Sequence, residues 1–115
     1  MMRWKRTETQ LALLKIAEKC AIKATHINKE YYQKNRLTQR QEIVTVKRIA
    51  SHLASDHAWM SLEVVGYFFG KHRTTAFYYV KSCQDLLDID KTFVEIYQDA
   101  KNEFDKTLAK TLDNN

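Results

Sequence analysis

Five consecutive residues, Lys71, His72, Arg73, Thr74 and Thr75, each carry a side chain able to donate a hydrogen bond. No acidic residue interrupts them, and the five positions directly before them hold both glycines of the chain, Gly66 and Gly70. A cluster of donors suits ligands rich in acceptors. Phosphate oxygens are one kind; guanine N7 and O6, which one arginine engages with two hydrogen bonds, are another. Threonine hydroxyls serve bases or phosphates alike. Just beyond, Phe77 is suited to a thymine methyl, and the Tyr78 hydroxyl to a phosphate. The pattern alone also describes a basic helix start that meets only water.

Such a cluster is useful only if something aims it. Ser61 is placed to cap a short helix with Leu62, Val65, Phe68 and Phe69 turned inward. Gly70 follows the last apolar residue and suits the left-handed conformation that ends a helix. Gly66 lies inside that helix, where glycine costs about 1 kcal/mol relative to alanine. Close approach by another helix is the expected compensation. A further helix from about His72 to Leu87 places Ala76, Val80, Cys83 and Leu87 inward, with Tyr79 assigned to the core. Two helices joined by a glycine-bearing turn describe a helix-turn-helix. The start of the second helix attracts phosphate through its free N–H groups and its dipole.

The remaining chain reads as helix as well. With 115 residues, no proline and two glycines, one domain of long helices and short connections is expected. Leu13, Ala17, Cys20, Ala24, Ile27 and Tyr31 line one face of a first helix from about Lys5 to Lys34, widened by Leu11, Leu14 and Ile16. Thr38 and Gln41 fit a capping box. Ile43, Val46, Ile49, Ala50 and Leu53 then form a buried face, with Lys47 and Arg48 off it. Asp56 to Met60 reads as a break. Asp90 caps a last helix with Phe93, Ile96, Tyr97, Ala100, Phe104 and Leu108 as its stripe, and the terminal "TLDNN" is expected to fray. The class is all-α, with about five helices around a central helix-turn-helix.

Charge is unevenly placed. The net charge is +5, but residues 1–42 carry +6, residues 43–81 carry +3 and residues 82–115 carry −4. The first two stretches suit a polyanion and the last does not. The apolar share of 44% and charged share of 29% argue against disorder. No run is long and apolar enough for a membrane span, and no signal peptide is apparent, so a cytoplasmic protein is expected. Cys20 and Cys83 stand alone and read as reduced, buried thiols. His26, His52 and His57 are scattered and are assigned no chemistry. No metal or cofactor is expected. "GYFFGKHRT" is not a nucleotide-binding loop, because its glycine spacing is one residue short and Arg73 stands where a Ser or Thr would hold magnesium. No enzyme is expected.

The stretch "IVTVKRIASHLASDHAWMSLEVVGYFFGKHRTTAFYYVKS" resembles the C-terminal DNA-binding domain of the bacterial chromosomal replication initiator DnaA. The matching pieces are "VKRIASHL", "SLEVVGYFFG" and "TTAFYYVKS", in the family's order. The resemblance covers roughly residues 36 to 108. It implies a DnaA C-terminal domain-like (Trp-repressor-like) fold that docks its second turn helix in the major groove of double-stranded DNA. It divides the chain into a basic amphipathic N-terminal helix, 1–35, and a DNA-binding domain, 36–115. His72, Arg73, Thr74 and Phe77 become base-reading candidates. Lys47, Arg48, Lys71, Thr75, Tyr78 and Lys81 become phosphate candidates, and Arg36 or Arg40 a minor-groove or backbone arm. The family opens this helix with Asp-His-Thr-Thr. Here His72 and Arg73 replace the first two, removing an acceptor suited to cytosine N4 and adding donors that favour guanine. The implied role is in replication initiation or its regulation, near the nucleoid, in a host, phage or mobile element. The alternative is a module that binds a replication or transcription protein, or itself, through its N-terminal helix.

Overall fold

The computed structural model describes residues 2–113, with side chains described from 8 to 110. Its helices are α1 (Met2–Thr25), α2 (Lys29–Asn35), α3 (Gln41–His52), α4 (Leu62–Phe68), α5 (Arg73–Ile89) and α6 (Lys91–Asp113), with a π-helical turn at Leu53–His57 that continues α3. The described residues include no strand. The all-α expectation is met, with one helix more than expected.

The extra helix comes from a break in what reads as one long N-terminal helix. His26 adopts a left-handed φ of 59° and ends α1. The Asn28 side chain then accepts the Tyr31 N–H at 2.9 Å and starts α2. Hydrophobic spacing runs smoothly across 24–31 and hides this joint, since a cap is set by one side chain and not by a stripe. Tyr32, not Tyr31, is the tyrosine that α2 buries. The stripe of α1 is spent inside the fold: Leu14, Ala17, Cys20, Ala21 and Ala24 are buried against α3 and α6. The small residues at its centre let those two helices approach closely.

Helix α3 runs through the middle, packed on α1 and α5. Ile43, Val46, Ile49, Ala50 and Leu53 are buried as expected. Burial continues round the helix to Lys47, Ser51 and His52, because a central helix has neighbours on more than one side. The Thr38–Gln41 capping box does not form. Arg40 is the N-cap residue without a side-chain bond, and the Thr38 hydroxyl donates instead to the Asn35 carbonyl at 2.8 Å. The other two caps do form. Ser61 Oγ accepts the Val64 N–H at 3.4 Å, and Asp90 Oδ1 accepts the Phe93 N–H at 3.0 Å. Asp90→Ala should therefore cost about 1 kcal/mol in urea unfolding; no change would mean that the backbone alone starts α6.

The π-helical turn and the end of α3 carry a polar cluster. Tyr97 Oη on α6 lies 2.6 Å from His52 Nδ1 and 3.2 Å from His57 Nε2. His52 Nε2 faces Gln84 Oε1 at 3.1 Å and Asp56 Oδ2 at 3.3 Å. One hydroxyl thus links α6 to the end of α3, and through His52 to α5. Helix α6 continues through Asp113; the last two residues of the tail expected to fray lie outside those described.

Candidate nucleic-acid interface

Helix α4 ends where its own turn folds back upon it. The Lys71 N–H donates to the Gly66 carbonyl at 2.8 Å, and Gly70 takes a φ of +66°. A β-carbon on Gly66 would stand 2.8 Å from the Lys71 oxygen and 3.1 Å from the carbonyl carbon and oxygen of His72. The close approach expected at Gly66 is real, but the approaching group is the turn's backbone rather than another helix. Gly70 meets nothing within 4 Å and is needed only for its φ. The two glycines thus serve different ends: one makes room, the other makes the bend.

The turn delivers His72 as the N-cap of α5, not as a residue within it. His72 Nδ1 accepts the Thr74 N–H at 3.2 Å and lies 3.0 Å from Thr74 Oγ1. Capping needs a lone pair on Nδ1, so the neutral ring carries its proton on Nε2. Arg73 is then the first helical residue, and no acid stands in the first turn of α5. Its guanidinium lies 3.6 Å from Glu63 Oε1, and both side chains are mostly exposed. Lys71, His72, Arg73 and Thr74 line one open depression together with Glu63 and Tyr67. Tyr67 is 72% exposed, which is unusual for so large a ring. Neither Glu63 nor Tyr67 is singled out by residue type. Their four-residue spacing, off the Val65–Phe69 face, is the signal that sets both beside the turn.

Thr75 is half-buried behind this edge. Phe77 and Tyr78 are exposed and meet edge to face at 5.7 Å, whereas Tyr79 is buried as expected. Arg48, Tyr78 and Lys81 share a second shallow cleft with Gln39, Val44 and Asp85. Lys81 also lies 3.7 Å from Asp85, one turn on. Arg40 is exposed at the start of α3.

Two basic candidates lie elsewhere than expected. Lys47 was expected on phosphate, but its side chain is 0% exposed and its Nζ has no hydrogen-bond partner. Burial, then the nearby Lys71 and Arg36 charges, pull its pKa from 10.5 to about 8. Arg36 is no free arm. Its Nε donates to Glu18 at 2.8 Å, a second nitrogen to the Phe68 carbonyl at 3.3 Å, and its plane sits 5.0 Å from the Phe68 ring. Glu18 also accepts the Tyr32 hydroxyl at 2.6 Å. Arg36 therefore fastens α2 to α1 and to the end of α4.

No known protein family, curated protein or solved structure matches this chain. No helix among the described residues is long and apolar enough to cross a membrane, and none of them form a group of three or more potential metal ligands.

Proposed function

We propose that this chain reads double-stranded DNA, laying the start of α5 in the major groove as a relative of the DnaA DNA-binding domain. Its role would lie in replication initiation or its regulation. One observation carries the reading: half-buried Lys71 and exposed His72, Arg73 and Thr74 converge at a helix whose first turn holds no acid, with Glu63 of α4 the one carboxylate in the same depression. Arg73 is assigned the base contact, with the His72 Nε2–H and Thr74 beside it and Phe77 toward a thymine methyl. Lys71, Thr75, Arg48, Tyr78 and Lys81 are assigned phosphates, and Arg40 replaces Arg36 as the candidate arm.

The test is selection from a randomised duplex pool at near-physiological salt, followed by sequencing of the retained DNA. An enriched motif containing guanine is expected. Retention without a motif would leave only electrostatic binding, and no retention would overturn the reading. On the enriched duplex, Arg73→Ala should weaken binding about tenfold. This lies at the low end for a bidentate contact because Arg73 must first leave Glu63. Random DNA should lose less than twofold; equal loss on both would make Arg73 a phosphate contact. With about four phosphate contacts, the logarithm of affinity should fall against that of salt with a slope of roughly −3 to −4.

A further inference from the structure

A further cavity lies between α1 and α2, beside the end of α4. It is an open groove of about 620 Å³ with Ile16, Ile22 and Phe68 among its apolar lining and Lys15, Lys19, Lys23 and Lys29 around it. Lys15, Lys19 and Lys23 recur every four residues and so stand in a row along α1, about 12 Å from first to last. Lys23 is partly answered by Glu103 at 3.4 Å. Lys15, Lys19 and Lys29 are exposed and have no ion-pair partner among the described residues.

The groove also contains a carboxylate, Glu18, but that charge is already used. Arg36 and the Tyr32 hydroxyl both bind it, and it is only 7% exposed. Toward a visitor the groove therefore presents cations above an apolar floor. A sugar–phosphate backbone would satisfy the lysines and leave the half-exposed Ile16 and Phe68 in water. An acidic protein segment with a bulky apolar side chain satisfies both. We propose that this groove binds such a segment of a partner protein, its carboxylates on Lys15, Lys19 and Lys29 and its apolar side chain between Ile16 and Phe68. No residue lines both this groove and the depression at the start of α5.

The probe is a displayed library of random 16-residue peptides, selected on the whole chain and sequenced. Enriched peptides should pair two or more Asp or Glu residues with a Leu, Ile, Phe or Trp. Their affinity should fall at least tenfold on K15E/K19E/K29E, which alters only exposed side chains, and at least fivefold when the apolar residue becomes Ser. Amide NMR shifts on binding should centre on Ile16, Lys19, Ile22 and Phe68. No enrichment, peptides without acids, or equal binding by the triple variant would overturn the proposal. So would a random duplex that displaces the peptide and shifts the same amides, since the lysines would then be a phosphate surface. Retention of duplex DNA by the triple variant is measured separately, which keeps failure here distinct from failure of the DNA reading.

Discussion

Gly66→Ala should destabilise the protein by about 1–2 kcal/mol in urea unfolding and abolish selective duplex binding at temperatures where the fold persists. The new methyl would lie 2.8 Å from the Lys71 carbonyl oxygen. That atom belongs to the turn backbone and cannot rotate away as a side-chain tip can. Overpacking of this kind costs roughly 1–3 kcal/mol and sometimes more, while alanine's better helix propensity returns about 1. Relief requires Lys71 and His72 to move, breaking the 2.8 Å bond from Lys71 N–H to Gly66 and carrying the start of α5 with them. Gly70→Ala is the control. It meets no atom within 4 Å but must hold a φ of +66°, so about 1–2 kcal/mol is expected, and less for asparagine. If both alanine variants bind the selected duplex normally, the turn does not set the position of Arg73.

Lys47→Met should have the opposite effect, stabilising the protein by about 2 kcal/mol at pH 7. The Lys47 ammonium is buried without a hydrogen bond and faces Lys71 and Arg36. Its folded pKa of about 8 is below the unfolded 10.5. Below pH 8 the lysine is charged in both states, so its full penalty falls on the folded one. Between 8 and 10.5 the unfolded chain holds the proton more often, and wild-type stability rises with pH. The advantage of Lys47→Met should therefore shrink across that window, as read from paired unfolding curves at pH 7 and pH 10. A constant gap would assign the gain to packing alone. Duplex affinity should change less than twofold, because the Nζ reaches no phosphate; a tenfold loss would mean that the side chain swings out on binding.

Sequence periodicity is informative where a helix has one buried face. Leu62, Val65 and Phe69 mark α4, and Phe93, Tyr97, Ala100 and Phe104 mark α6, because each of these helices presents its other side to water. It fails at α3, which is surrounded, so that Lys47 and Ser51 are buried despite their polarity. The break at His26–Asn28 is equally silent, since neither residue disturbs the apolar spacing on either side. At the candidate site, Lys71 to Thr74 are legible from type and order alone. Glu63 and Tyr67 are not, because their importance comes from where the turn places them. Arg36 shows the converse: its type suggests an exposed cation, while its partners Glu18, Phe68 and Phe69 are 18, 32 and 33 residues away along the chain and no local pattern joins them.

The single hydroxyl shared by two histidines gives the core a direction. His52 Nε2 faces only acceptors, Gln84 Oε1 and Asp56 Oδ2, so it carries a hydrogen. With His52 neutral, its Nδ1 must then accept from Tyr97, and the Tyr97 oxygen in turn accepts from His57 Nε2. All donors in the relay point one way, from His57 through Tyr97 and His52 to Gln84. The acidic last helix is therefore joined to the central one by a relay whose donors all face the same way, so the two helices are held in orientation as well as in contact.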